Sequence, residues 1–213
     1  APNVGICNIG SVGIFTSMEI PVYKMTIDEV DEGVSFVALV EHPAIERPFQ
    51  AFAKKQRFSE TGEKRVLTGP LMLADTPIYR NDDTYGEYYV VFDADTIRKI
   101  VQKYFKQGNQ HNVNAEHSTE LDGVYMFESY LIDRDRGINP PKGYEDAKNG
   151  SWFGSFKVDN DKVWENREQF TGFSVEGLFG MKPTNSALEM ALAGLAQDLA
   201  AFLQHLPSRY ISN

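Results

Sequence analysis

Cysteine is almost absent: Cys7 is the only one in 213 residues. An internal disulfide framework and a multi-cysteine metal site are therefore excluded, and a reducing compartment is permitted. No uninterrupted apolar run approaches the roughly 20 residues that span a bilayer as a helix, so no membrane partner is expected. Positive charge is in deficit. The 21 Lys and Arg stand against 30 Asp and Glu, a net charge of −9. That balance argues against a general nucleic-acid surface, which carries a basic stripe. The first 18 residues, Ala1 to Met18, hold no charge at all. They lack the basic start and continuous apolar centre of a secretory signal, and the expectation is an extended, uncharged arm.

What is present is ordinary for a globular chain. Hydrophobic residues make up 42 % and charged residues 24 %, enough to bury about 70 % of the extended surface in a real core. From residue 19 to 181 the pattern is strand-dominated. β-Branched and aromatic residues cluster at Val22–Met25, Val34–Val40, Val66–Leu73, Glu87–Phe92, Val124–Ile132, Trp152–Val158 and Gly172–Phe179. The run Tyr88 to Phe92 is apolar throughout, as for a strand covered on both faces. Turn residues separate the runs, among them Asn81-Asp82-Asp83 and Asp159-Asn160-Asp161.

Ile97, Ile100, Val101, Tyr104 and Phe105 fall on one helical stripe, with Lys99, Lys103 and Lys106 on the solvated face. A shorter helix is expected near Lys162–Gln169. The tail, 182–213, carries Leu188, Leu192, Leu195, Leu199, Phe202 and Leu206 at heptad-like spacing after the capping box Ser186–Glu189. It reads as an amphipathic helix, folded on its own domain or paired with a second copy. The expected class is α+β, strand-dominated: either a small β-barrel flanked by helices or an α+β sheet, with a C-terminal helix.

Chemistry-bearing residues are few. His111 and His117 are six apart, a spacing that suits neither a helical pair nor a tightly bounded metal site. No metal and no cofactor is expected, and a hydrolase built on a metal at those two histidines is the weakest reading. Ser174 opens a strand-like run, Thr171-Gly-Phe-Ser-Val-Glu-Gly177, in which the second glycine falls one residue late for a hydrolase elbow. A serine hydroxyl becomes a nucleophile when a base takes its proton, and a neutral histidine such as His117 can do so.

In order along the chain stand Phe36-Val-Ala-Leu-Val-Glu-His-Pro-Ala-Ile45, Gly69-Pro-Leu-Met-Leu-Ala-Asp-Thr-Pro-Ile-Tyr-Arg80, Gly86-Glu-Tyr-Tyr-Val-Val-Phe92, Asn114-Ala-Glu-His117, Phe127-Glu-Ser-Tyr-Leu-Ile132, Gly150-Ser-Trp-Phe153 and Gly172-Phe-Ser-Val-Glu-Gly177. This series, over about Ile20 to Gly180, resembles phage prohead (capsid maturation) proteases of the XkdF-like kind, a group similar to herpesvirus assemblin. The resemblance implies an assemblin-like barrel and a serine endopeptidase, with Ser174 as nucleophile and His117 as general base. It implies phage scaffold and major capsid proteins as substrates, with self-cleavage, inside a procapsid in the host cytoplasm. A homodimer through the tail helix would fit. The third catalytic role falls to Glu128, with Glu176 the other candidate. Glu189, Asp198 and His205 are further acids or bases downstream, and a permuted chain would put the role near Phe36. The alternative from another class is an inactive structural or scaffold-like capsid protein of the same fold.

Overall fold

In a computed structural model, the described residues are 20–28, 30–43, 59–61 and 64–184, with side chains for all of these except 59–61. The arm expected over 1–18 and the Leu188–Leu206 seam lie outside them.

Short runs of β-branched and aromatic residues, punctuated by Gly, Asn and Asp, fold as twelve strands among the described residues. They are β1 (Val22–Thr26), β2 (Gly33–Val40), β3 (Ser59–Thr61), β4 (Val66–Met72), β5 (Ile78–Asp82), β6 (Gly86–Val91), β7 (Val113–Ala115), β8 (Thr119–Glu120), β9 (Val124–Leu131), β10 (Trp152–Val158), β11 (Gly172–Leu178) and β12 (Gly180–Pro183). Two helices, α1 (Ala94–Lys106) and α2 (Asp161–Glu165), interrupt them. The strands form three four-stranded sheets, ordered β12-β1-β6-β5, β3-β4-β10-β9 and β11-β2-β7-β8. The middle one is antiparallel. The others are mixed, through the parallel pairs β1–β6 and β2–β7.

The strand-dominated α+β class holds; the closed barrel does not. Among the described residues all three sheets are open. β4 and β11 run near each other without pairing. β3 already occupies the edge of β4 from Val66 to Thr68. After Phe179 the chain leaves one sheet and enters another as β12.

A single large core joins the sheets to α1. Trp152, Phe156, Val158, Leu67, Val37, Leu39, Ile97, Ile100 and Tyr104 are all buried in it. Tyr104 meets Trp152 edge-on at 5.3 Å between ring centres, and the indole N–H donates to Ser129 Oγ at 2.8 Å. Two sequence expectations need correcting. The Tyr88–Phe92 run is not covered on both faces: Tyr88, Val90 and Phe92 are buried, while Tyr89 and Val91 are half-exposed. Lys103 is not merely solvated, because its Nζ donates to the carbonyls of Val30 and Glu32 and ties α1 to the β1–β2 loop.

The leg from α1 to β7 positions the site. Asn109 Nδ2 donates to Val34 O at 3.1 Å, and Asn112 Nδ2 donates to Ser35 O at 3.0 Å. The Val37 N–H donates to Asn112 O at 3.0 Å. These bonds set β7 in register beside β2. At the other end of α1, Asp93 is the N-cap, accepting from the Thr96 N–H at 2.8 Å, and it pairs with Lys24 of β1. Burial opposes the Asp93 charge, but the bonds from Lys24 and Thr96 outweigh it and hold its pKa down to about 2.

Asp93→Ala should lower unfolding stability by about 1 kcal/mol in urea denaturation at neutral pH. The folded pKa lies below the unfolded value of roughly 3.9. The charge-dependent part is therefore fully present above about pH 4 and is lost as pH falls toward 2. The stability difference between the wild type and Asp93→Asn should shrink across that window; a constant difference would count against the pairing.

Candidate active site

β11 alternates. Phe173 and Val175 face the core, where the Phe173 ring lies 4.6 Å from that of Phe156. The period of two then sends Ser174 and Glu176 to the opposite face. In the ladder, Ser174 stands opposite Ala38 of β2, and Ala38 stands beside Asn114 of β7. One row thus carries Ser174, Ala38 and Asn114. Ser174 is only 7 % exposed and Asn114 only 5 %. A register irregularity follows Glu176, and there Gly177 lets two backbones meet. A Cβ on it would lie 2.0 Å from Gly33 O and 2.9 Å from Val34 Cα.

His117 arrives from the other side of the sheet. It sits in the β7–β8 turn, closed by the Ser118 N–H donating to Ala115 O at 3.0 Å. Glu116 and His117 have φ of 49° and 55°, both left-handed without being glycine, an arrangement costing about 1–3 kcal/mol per residue. Two bonds to the end of β2 hold it. The Glu116 N–H donates to Leu39 O at 3.1 Å, and Glu116 Oε1 accepts from the Glu41 N–H at 2.6 Å.

The turn brings His117 Nδ1 to 3.0 Å from Glu176 Oε1. Asn114 Nδ2 donates to the same carboxylate oxygen. Asn114 Oδ1 is buried and has no hydrogen-bond partner among the described residues. A neutral imidazole that donates Nδ1–H to a carboxylate keeps Nε2 as an acceptor. Ser174 lies one same-face step from Glu176, about 7 Å along the strand. Its hydroxyl makes no hydrogen bond to His117 in this conformation. Catalytic hydrogen bonds are often long before substrate binds.

Glu128 goes elsewhere. It lies on β9, where its Oε2 accepts from Ser155 Oγ at 2.5 Å, and Thr68 Oγ1 donates to Ser155 at 2.9 Å. That row crosses the β3-β4-β10-β9 sheet, whereas Glu176 belongs to the sheet of Ser174. Glu176, and not Glu128, meets His117. The His111 ring rests against Tyr125 at 5.7 Å, and the described residues include no group of three or more His, Cys, Asp or Glu that could hold a metal ion. Glu189, Asp198 and His205 lie outside the described residues.

Asn114 was not singled out from the sequence. Its signal is an amide between Val113 and Ala115 in a strand, where asparagine is disfavoured unless it has a polar partner.

Along β11 runs a cavity of about 590 Å³. Leu71, Met72 and Leu73 at the end of β4 border it, as do residues Phe173 to Phe179. Ser174 and Glu176 line it, so the candidate nucleophile opens onto a space large enough for peptide side chains.

Residues 59–181, more than half of the chain, match a protein-family model described as "Putative phage serine protease XkdF". No curated protein and no solved structure shows a significant match. No helix among the described residues is long and apolar enough to cross a membrane.

Removing the Glu176 acceptor leaves the buried Asn114 amide with neither of its ends bonded. Glu176→Leu should cost about 2 kcal/mol of stability. Glu176→Gln, which keeps an acceptor oxygen, should cost less than half of that. Chemical denaturation of the two variants checks the order, and equal losses would show that Asn114 does not depend on the carboxylate.

Proposed function

The chain belongs to the XkdF family of phage serine proteases, and from that premise we propose that it is an endopeptidase using Ser174 as nucleophile, His117 as general base and Glu176 as the acid behind the ring. The observation that carries the reading is the 3.0 Å contact of Glu176 Oε1 with His117 Nδ1, made from the strand face that also holds Ser174.

Ser174 Oγ attacks the peptide carbonyl carbon while His117 Nε2 takes the hydroxyl proton. Glu176 holds the imidazole in the tautomer that leaves Nε2 free, and it stabilises the imidazolium that forms. The proton then passes from His117 to the leaving amine, and the carbon–nitrogen bond breaks. Water, deprotonated by the same nitrogen, hydrolyses the acyl-enzyme and regenerates Ser174. In this reading the Ser174–His117 hydrogen bond forms in the substrate complex, where catalytic contacts tighten.

The substrates are scaffold and capsid-lining proteins of the phage head, the protease itself included, cleaved inside the procapsid. Glu128 belongs to the hydroxyl row with Ser155 and Thr68 and does not take part.

A fluorophosphonate should label the full chain at Ser174, and Ser174→Ala should abolish both labelling and cleavage of procapsid proteins. Glu176→Gln should lower kcat about 10²- to 10⁴-fold, since a neutral amide permits the wrong tautomer. Glu128→Gln should change it less than about threefold. Cleavage retained by Ser174→Ala would end the proposal. A collapse in Glu128→Gln with activity preserved in Glu176→Gln would reassign the acid. Binding to capsid protein without turnover of any component would leave a structural protein.

A further inference from the structure

The cavity along β11 is lined largely by apolar side chains, including Met25, Met72, Ile78, Phe92 and Met181. Among the described residues, two charged ones join that lining, Glu176 and Arg80. Glu176 is engaged by His117 and Asn114. Arg80, on the edge strand β5, is not comparably engaged. Its guanidinium donates through Nη1 to the carbonyl of its own neighbour, Tyr79, at 2.9 Å. It pairs with no carboxylate among the described residues.

The nearby acid is occupied. Asp82 accepts from the Tyr88 hydroxyl at 2.6 Å and from the Thr84 and Tyr85 N–H groups, closing the β5–β6 hairpin. Burial draws the Arg80 pKa below the usual arginine value. An arginine keeps its charge nonetheless, with five N–H donors in a planar fork matched to a carboxylate. Such a half-buried, unpaired cation beside a free strand edge fits a ligand that brings both a backbone and an anion. The open edge of β11 offers main-chain donors and acceptors to an extended peptide, with alternate side chains directed into the cavity.

We infer that Arg80 is a specificity residue that recognises an acidic side chain on an extended peptide bound along β11, with large apolar side chains filling the rest of the cavity; the inference rests on the protease reading above. The preference follows from charge complementarity. A carboxylate received by Arg80 gains a charge-assisted bidentate hydrogen bond, whereas a lysine there meets an uncompensated like charge.

A synthetic decapeptide library with amidated C-termini, so that only side-chain carboxylates are offered, tests it in two arms using the full chain. In the first, the wild type digests the library and cleavage sites are read by mass spectrometry. Asp or Glu should be enriched about tenfold at one position within a few residues of the cut. Arg80→Lys should keep the preference in weaker form, Arg80→Gln should lose it, and Arg80→Glu should favour Lys or Arg there. Thermal melts establish that each variant is folded. No acidic enrichment with the wild type overturns the inference, as does enrichment unchanged in folded Arg80→Gln; either result leaves the protease reading intact. In the second arm, immobilised Ser174→Ala captures peptides without cutting them. Acidic peptides retained by it, and not by Ser174→Ala with Arg80→Gln, support the inference even if no cleavage is seen anywhere. Absence of both cleavage and labelling would instead defeat the protease reading, and capture without acidic bias would defeat the inference on its own.

Discussion

The alternation of β11 is the constraint on which the site depends. Phe173 is held in the core against Phe156, and Val175 packs behind it. With those two side chains fixed inward, Ser174 and Glu176 can only point the other way. A slip of one residue would bury a carboxylate in the aromatic core and turn the phenylalanine out of it. Register errors are therefore strongly opposed by burial. Gly177 adds a second lock. Only a residue without a side chain permits β11 to lie so close to Gly33 and Val34, so the strand stays seated where it carries the site. The same ladder continues across Ala38 to Asn114, which explains how Asn114 reaches Glu176, 62 positions later in the chain.

Several costs lie around this site, in the β11 sheet and across the cavity on β5. Two consecutive non-glycine residues, Glu116 and His117, hold left-handed conformations. Asn114 has a buried carbonyl oxygen without a partner, and Arg80 has a guanidinium without a carboxylate. Each works against stability, and a fold selected for stability alone would remove them, with glycine in the turn and an apolar residue at position 114. The core is mixed, since the Tyr104 hydroxyl is also buried without a partner among the described residues. Trp152 satisfies its N–H with Ser129, and the Thr68–Ser155–Glu128 row satisfies its hydroxyls across three strands. Left-handed residues also occur at Arg65 and Asp75, so what sets the β7–β8 turn apart is the two strained residues in succession beside the Glu176 carboxylate.

Much of the fold could be read from residue pattern, because the long strands and α1 announce themselves through periodicity. The stripe Ile97–Ile100–Tyr104 is buried as its spacing requires, and β10 begins and ends where its aromatic run does. The short strands β7, β8 and β12 gave no such signal. They have two to four residues, too few for a period to appear, and their pairing is imposed by longer neighbours. For a related reason, sequence pattern does not separate Glu128 from Glu176. Both stand in strands with suitable flanks, and only sheet membership separates them, a property of tertiary pairing. Glu176 shares a strand with Ser174, so the i, i+2 rule alone places it on the serine's face. Lys103 misled in the opposite direction: a helical wheel assigned it to solvent, yet its stem is long enough to reach back to two carbonyls of the β1–β2 loop.

The expectation of a closed barrel and the presence of a cavity along β11 concern the same physical gap. A ladder between β4 and β11 would pair backbone groups of β11 with the stretch of β4 that β3 leaves open. With the ladder missing, the β11 edge keeps its hydrogen-bonding groups open toward a cavity of about 590 Å³. An exposed strand edge is an aggregation hazard that folds usually cover or charge. Here it lies recessed between the end of β4 and the β12-β1-β6-β5 sheet, so a second folded domain is poorly shaped to reach it. A single extended chain is well shaped to do so, and it is the form in which a peptide bond can be presented to a serine on the neighbouring face. The missing ladder thus leaves the β11 edge beside a cavity bordered by Arg80 and Glu176.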